Sequence, residues 1–269
     1  MWPWILLAVA VLILLYLYLI CPALRHHDDC GMFSGSYIAH RGLHNISKGI
    51  AENSFTAYGE AIKRKLPIEI DVRLSRDGEV VVFHDDDLKR ACGVEKKVSE
   101  LTFKELRDLR LQGTDDVIPT FREVLELVGC QVPLLIEIKY VSGRNKELCE
   151  KTWDILKDYQ GKYAIQSFYP TIVGWFKKNA PQVQRGQLST NFIKVEGHKP
   201  YEPIAGALVL NFLSRPDFIS YEYKYPRILP LGLCRIFGAV TIAWTYTDEA
   251  QIDETQKYFS GYIFENFEP

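Results

Sequence analysis

Two hydrophobic rhythms divide this chain. From Trp2 to Cys21 every position is apolar or aromatic, and a helix of about 20 residues rising 1.5 Å per residue spans a hydrocarbon core of about 30 Å. Trp2, Trp4, Tyr16 and Tyr18 stand toward the two ends of that run, where amphipathic rings favour the headgroup region. A cleaved signal peptide is the competing reading. No lysine or arginine precedes the run, no small-x-small site closes it, and Ile20 before Cys21 is too large for a lipoprotein site. The pattern therefore predicts a single-pass transmembrane anchor over residues 1–21. Arg25, His26, His27, Asp28 and Asp29 follow it, and the positive-inside preference, resting here on one arginine, places the rest of the chain on the cytoplasmic side. Residues 22–36, with Gly31 and Gly35, read as a short polar linker.

Beyond the linker, short β-rich runs alternate with longer amphipathic stretches, the pattern of β/α units around a parallel sheet. The predicted strands are Tyr37–Ala39, Ile68–Arg73, Glu79–Phe83, Leu134–Lys139, Tyr163–Phe168, Arg185–Ser189, Ala207–Phe212, Val240–Tyr246 and Tyr262–Phe264. A loop ending in Asp77-Gly78 separates the second and third and suits a tight reversal. Since a parallel crossover needs a dozen or more residues, these two form an antiparallel hairpin with Glu79–Phe83 outside the parallel set. Eight parallel strands remain. Helices fill the gaps at Asn53–Lys65, Phe103–Arg110, Phe121–Gly129, Lys146–Tyr159, Thr171–Asn179 and Asp248–Phe259. Asn53 is read as the cap of the first, and Thr120 with Glu123 as a capping box. The fold class is α/β, a TIM-type (β/α)8 barrel over residues 37–269 preceded by one N-terminal transmembrane helix; the 269 residues suffice for it.

Charge and cysteines narrow the picture. With 32 basic against 34 acidic residues, the chain lacks the positive surplus of a protein that coats nucleic acid. Its six cysteines are widely and irregularly spaced, with no C-x-x-C pair, and read as mostly free thiols.

The candidate chemistry lies at strand ends. In Pro67-Ile68-Glu69-Ile70-Asp71-Val72 the strand period of two puts Glu69 and Asp71 on one face. Two acids inside an apolar strand need a cation or a proton to compensate them; the bland alternative, an edge strand with a solvated face, would be flanked by polar residues rather than Ile and Val. Leu134-Leu135-Ile136-Glu137-Ile138-Lys139 repeats the device with Glu137 and Lys139. As barrel staves, both strands deliver acids to the mouth where such barrels place active sites. Three oxygen ligands suit Mg²⁺ or Ca²⁺ better than zinc. His40 and His84 close two further strands and read as an acid/base pair. Arg41 offers a planar fork for a phosphate, and Gly42 allows close backbone approach.

His40-Arg41-Gly42, Glu52-Asn53-Ser54, Glu69-Ile70-Asp71, Val82-Phe83-His84-Asp85 and Ile136-Glu137-Ile138-Lys139, in this order, resemble the glycerophosphodiester phosphodiesterase family from about Tyr37 to the C-terminus. The resemblance implies a divalent metal held by Glu69, Asp71 and Glu137, His40 and His84 as general acid and base, and Arg41 and Lys139 on the substrate phosphate. It also implies Glu52 near the metal or orienting it, and Trp244 near a glycerol pocket. Gln166-Ser167-Phe168 is similar to a later family strand, while the family's closing Thr-Asp-x-Pro is replaced by Glu265-Asn266-Phe267-Glu268-Pro269. The expected reaction is metal-dependent hydrolysis of glycerophosphodiesters to glycerol 3-phosphate and an alcohol, with water or the glycerol 2-hydroxyl as nucleophile. The nearest rival is a lysophospholipase D or related phospholipid phosphodiesterase, to which an anchor would bring membrane substrate. A catalytically silent, membrane-tethered binding barrel is disfavoured because the motif residues are intact.

Overall fold

The structure, a computed structural model, describes residues 2–24, 31–194 and 202–269. Arg25 to Asp29, which carry the orientation expectation, lie outside the described residues, as does Cys30. The five described cysteines are free thiols.

Nine strands form one sheet: β1 (Tyr37–Ala39), β2 (Ile68–Leu74), β3 (Val80–Val82), β4 (Leu134–Ile138), β5 (Tyr163–Ser167), β6 (Arg185–Ser189), β7 (Phe218–Glu222), β8 (Val240–Tyr246) and β9 (Gly261–Phe264). Eight are parallel, and the pairing of β1 with both β9 and β2 closes them into a barrel. β3 pairs antiparallel with β2 outside the ring, as the Asp-Gly reversal predicts.

The strand period of two builds the interior in layers. Ile38, Leu135, Ala164, Phe218, Ile242 and Ile263, one from each of six strands, pack into a buried floor with Phe33. Two residues further along the same strands come His40, Glu137, Gln166, Ser220, Trp244 and Glu265, so a shift of one pleat toward the C-terminal ends turns apolar floor into polar mouth. Phe33 belongs to the stretch read as a linker, which therefore contributes to the barrel's floor. The opposite strand faces, including Ile68, Ile70, Val72, Ile136 and Ile138, form a larger cluster with helix residues such as Tyr58, Phe121, Leu148 and Phe176.

The predicted strand Ala207–Phe212 is not one. These residues form a turn and enter a short helix, Asn211–Ser214, and the seventh strand is Phe218–Glu222. Leu208 takes a left-handed φ of 58° that breaks the extended run, and a short apolar run looks alike in a buried helix and a buried strand. A helix at Leu229–Ile236 was not anticipated. The first barrel helix, Phe55–Lys63, is capped by Ser54, whose side chain accepts from the Ala57 N–H, rather than by Asn53. The Thr120–Glu123 capping box forms as expected.

The N-terminal apolar run is a helix, Trp2–Ile20, long and apolar enough to cross a membrane. Most of it is exposed, but its last residue, Ile20, is fully buried. Asn211 Nδ2 donates to the Ile20 carbonyl at 2.9 Å, and Arg215 Nη1 donates to the carbonyls of Tyr18 and Cys21, both at 2.7 Å. Just beyond, Ala23 N–H donates to Pro216 O at 2.8 Å. Asn211, Arg215 and Pro216 lie immediately before β7. The helix is thus stapled to the barrel face where strands begin, opposite the mouth where they end.

The floor generates one prediction. Gly186 of β6 pairs with Phe218, whose ring occupies the space a Cβ would take. Gly186→Val should overpack this layer by about 1–3 kcal/mol and lower the thermal midpoint by several degrees in a melting experiment; an unchanged midpoint would show that the floor tolerates the added volume.

Candidate active site

At the mouth, Glu69, Asp71 and Glu137 converge, each offering an oxygen within 4.8 Å of the others, and all three are buried. The in-register pairing of Asp71 with Glu137 across β2 and β4 brings two of them together, and the pleat adds Glu69 on the same face. Burial, then the charges of Asp71 and Glu137, push the Glu69 carboxyl well above its ordinary range. Burial would raise Asp71 too, but Lys139, His84 and Arg41 hold it well below. Lys139 Nζ bridges the cluster, 2.9 Å from Asp71 Oδ1 and 2.6 Å from Glu137 Oε1. The Arg41 N–H donates to Glu69 Oε2 at 3.1 Å, and Asn53 Nδ2 donates to Asp71 Oδ2 at 2.9 Å while accepting from the Tyr58 hydroxyl. A buried all-oxygen set of three carboxylates fits a hard divalent cation.

Both sequence-predicted histidines line one cavity of about 100 Å³ with Arg41, Glu69, Glu137, Lys139 and Trp244. His40 Nδ1 lies 2.6 Å from Glu265 Oε2, and His84 Nδ1 lies 2.7 Å from Asp85 Oδ1. In each ring Nδ1 is held by a carboxylate, which fixes the tautomer and leaves Nε2 outside that contact. Burial lowers the His40 pKa to about 4, against the opposing pull of Glu265, so the ring is neutral near pH 7. Trp244 Nε1 is buried without a hydrogen-bond partner, and the indole meets Phe168 edge-on at 5.6 Å. Gln166 also lines the cavity and accepts from the Ser220 hydroxyl at 2.6 Å.

Glu52 stands one step back from the acid triad. It accepts from Arg41 Nη1 at 2.8 Å and from both terminal nitrogens of Arg90, at 2.9 and 2.6 Å. Arg90 Nε in turn donates to Asp85 Oδ2 at 2.6 Å. A continuous chain, Arg41–Glu52–Arg90–Asp85–His84, therefore ties Arg41 to one of the histidines. Gly42 has φ 81°, and its added Cβ would stand 2.8 Å from Ala57 Cβ, so the close approach it permits is to the neighbouring helix. Sequence reasoning missed Arg90, His44 and the pairing of Glu265 with His40. The position of Glu265 one residue past a barrel strand, two beyond the floor residue Ile263, was the available signal.

Comparisons with known proteins agree with this geometry. Residues 40–259, most of the chain, match the sequence model of the Glycerophosphoryl diester phosphodiesterase family. The chain is 34% identical over 161 residues to a glycerophosphodiester phosphodiesterase of Caldanaerobacter subterraneus subsp. tengcongensis, covering 56% of this chain and 65% of that protein. It is 31% identical over 175 residues to human lysophospholipase D GDPD1, covering 59% and 54% respectively, so the match spans only about half the length of that relative. Among solved structures, an Oleispira antarctica phosphodiesterase in complex with the product sn-glycerol-3-phosphate shares the fold, with a TM-score of 0.74 at 22% identity over 88% of this chain and 94% of that one. A glycerophosphodiester phosphodiesterase from Thermotoga maritima gives a TM-score of 0.66 at 28% identity, covering 89% and 96%. With the family model matched over most of its length, this chain belongs to the glycerophosphoryl diester phosphodiesterase family.

Proposed function

We propose that this protein hydrolyses glycerophosphodiesters to glycerol 3-phosphate and an alcohol, with Glu69, Asp71 and Glu137 holding Mg²⁺ or Ca²⁺ and with His40 and His84 moving the protons. The observation that carries the reading is the meeting, around one cavity, of a buried three-carboxylate cluster and two histidines that each rest on their own carboxylate. When bound, the cation would supply charge neutralisation at the phosphate's nonbridging oxygens. Arg41 and Lys139 add fixed positive charge beside the same cavity and orient the diester. His40, neutral near pH 7, suits acceptance of a proton from the attacking hydroxyl, which is water, or the glycerol 2-hydroxyl, whose cyclic phosphate water then opens to glycerol 3-phosphate. As the new oxygen–phosphorus bond forms, the bond to the alcohol breaks, and His84 donates a proton to the leaving oxygen. Asp85, anchored by Arg90, stabilises the His84 imidazolium that precedes this step.

We read the helix Trp2–Ile20 as a membrane anchor. Its attachment at the face opposite the mouth favours water-soluble diesters over lipids still seated in the bilayer that holds the anchor. Hydrolysis of lysophospholipids is the second reading, supported by relatives named lysophospholipase D and by the aromatic side chains around the mouth, among them the stacked pair Tyr140 and Tyr169.

Release of glycerol 3-phosphate from glycerophosphocholine by the purified chain, assayed with Mg²⁺, Ca²⁺ or a chelator and beside a lysophosphatidylcholine, separates these readings. Metal-dependent turnover of the soluble diester is expected; cleavage of the lysolipid alone would favour the second reading, and no cleavage of either would contradict both. His40→Ala and His84→Ala should each lower kcat by about two to four orders of magnitude with the fold retained by circular dichroism; near-normal turnover in either removes that histidine from its role. Asn53→Ala frees Asp71 from its amide donor and should weaken cation affinity about 10- to 100-fold in calorimetric titration, whereas unchanged affinity would place the ion away from Asp71.

A further inference from the structure

The mouth contains a second donor set, which shares His40 and Glu265 with the proposed proton transfer and adds His44 to them. His44 Nε2 lies 3.6 Å from Glu265 Oε2, the same oxygen that lies 2.6 Å from His40 Nδ1. The donor atoms of the three residues all fall within 4.8 Å of one another. His44 Nε2 is buried and makes no hydrogen bond; Glu265, at 3.6 Å, is beyond hydrogen-bond range, so the hydration this imidazole nitrogen loses is only partly returned. Coordination to a metal would satisfy it.

Two imidazoles and a carboxylate form a donor set of a different chemical class from the all-oxygen triad. Nitrogen ligands favour zinc over the hard cations, and oxygen-only clusters favour Mg²⁺ or Ca²⁺. In a tetrahedral zinc site with bonds of about 2.0–2.1 Å, adjacent donors stand roughly 3.3 Å apart. The His44–Glu265 separation is already close to that, and the His40–Glu265 pair needs to open by less than about 1 Å, a small rotation about the side-chain bonds of Glu265. Water would complete the fourth position.

We propose that His40, His44 and Glu265 form a separate Zn²⁺ site, and that its occupation switches hydrolysis off while the acid triad keeps its own cation. Zinc bound at His40 Nδ1 leaves the ring's proton on Nε2, where the neutral imidazole can no longer accept another. The same ion takes Glu265 away from its role in orienting His40. The inhibitory half of this proposal rests on the proposed function; the binding half does not.

Zinc uptake by the full-length, metal-stripped chain, measured by competition with a chromophoric indicator at saturating Mg²⁺, tests the binding. The wild type should take up one equivalent more than His44→Ala or His44→Gln, and Glu69→Gln should retain that equivalent. Equal uptake by wild type and both His44 variants, each with a wild-type melting profile, would overturn the site, as would loss of the equivalent in Glu69→Gln. In the activity arm, micromolar Zn²⁺ with millimolar Mg²⁺ should lower wild-type turnover at least tenfold and leave His44→Gln nearly unaffected. Full zinc sensitivity in His44→Gln would overturn the switch. If no diester is hydrolysed at all, the proposed function fails, and the uptake measurement still decides whether the zinc site exists.

Discussion

Three carboxylates buried within reach of one another are the constraint around which this barrel is organised. Two unit charges within 4.8 Å of each other repel by about 3 kcal/mol or more at an effective dielectric constant near 20, a sizeable fraction of the roughly 5–15 kcal/mol by which a domain is stable. The protein answers with the Lys139 ammonium between Asp71 and Glu137, the Arg41 N–H on Glu69 and the Asn53 amide on Asp71. These partners leave Glu69 reluctant to ionise. A cluster that costs stability in this way belongs to a site that uses it, which is why the proposed cation follows from the electrostatics as well as from the resemblance.

The same geometry explains why the histidines stand where they do. On six of the eight barrel strands the inward-facing position one pleat below the mouth is apolar, so Ile38 supports His40, Leu135 supports Glu137 and Ile242 supports Trp244. A rigid floor fixes the heights of the polar groups relative to one another. Laterally, Glu52 and Arg90 join Arg41 to the Asp85–His84 pair through charge-assisted hydrogen bonds, which hold Arg41 and His84 in one frame. On the opposite face, the apolar helix is secured through Asn211 and Arg215, so attachment and proposed chemistry occupy separate ends of the fold.

Much of this was legible along the chain because it is local. Alternation of Ile with Glu69 and Asp71 reports a strand and its two faces, Asp77-Gly78 reports the hairpin, and Thr120 with Glu123 reports a helix start; each depends on neighbours a few residues apart. The failures share the opposite property. Leu208 to Phe212 is apolar enough for a strand, but the chain turns at Leu208 and packs as turn and helix, while the true strand at Phe218–Glu222 mixes Ser220 and Glu222 into its pattern. Asn53 looks like a cap, yet its side chain is claimed by Asp71 from another element and Ser54 caps instead. Glu265 reaches His40 and His44 only because β9 closes the barrel beside β1, a neighbour relation that no local pattern carries.

The proposed chemistry depends above all on a hard divalent ion held by the acid triad. Anomalous scattering from a crystal of this protein soaked in Mn²⁺, used as a heavier stand-in for Mg²⁺, tests it directly. A peak bounded by oxygens of Glu69, Asp71 and Glu137 is expected, with the Lys139 ammonium drawn away from its bridging position. Absence of a peak there at saturating ion, with Lys139 still joining Asp71 and Glu137, would contradict it and make the lysine itself the permanent counter-charge.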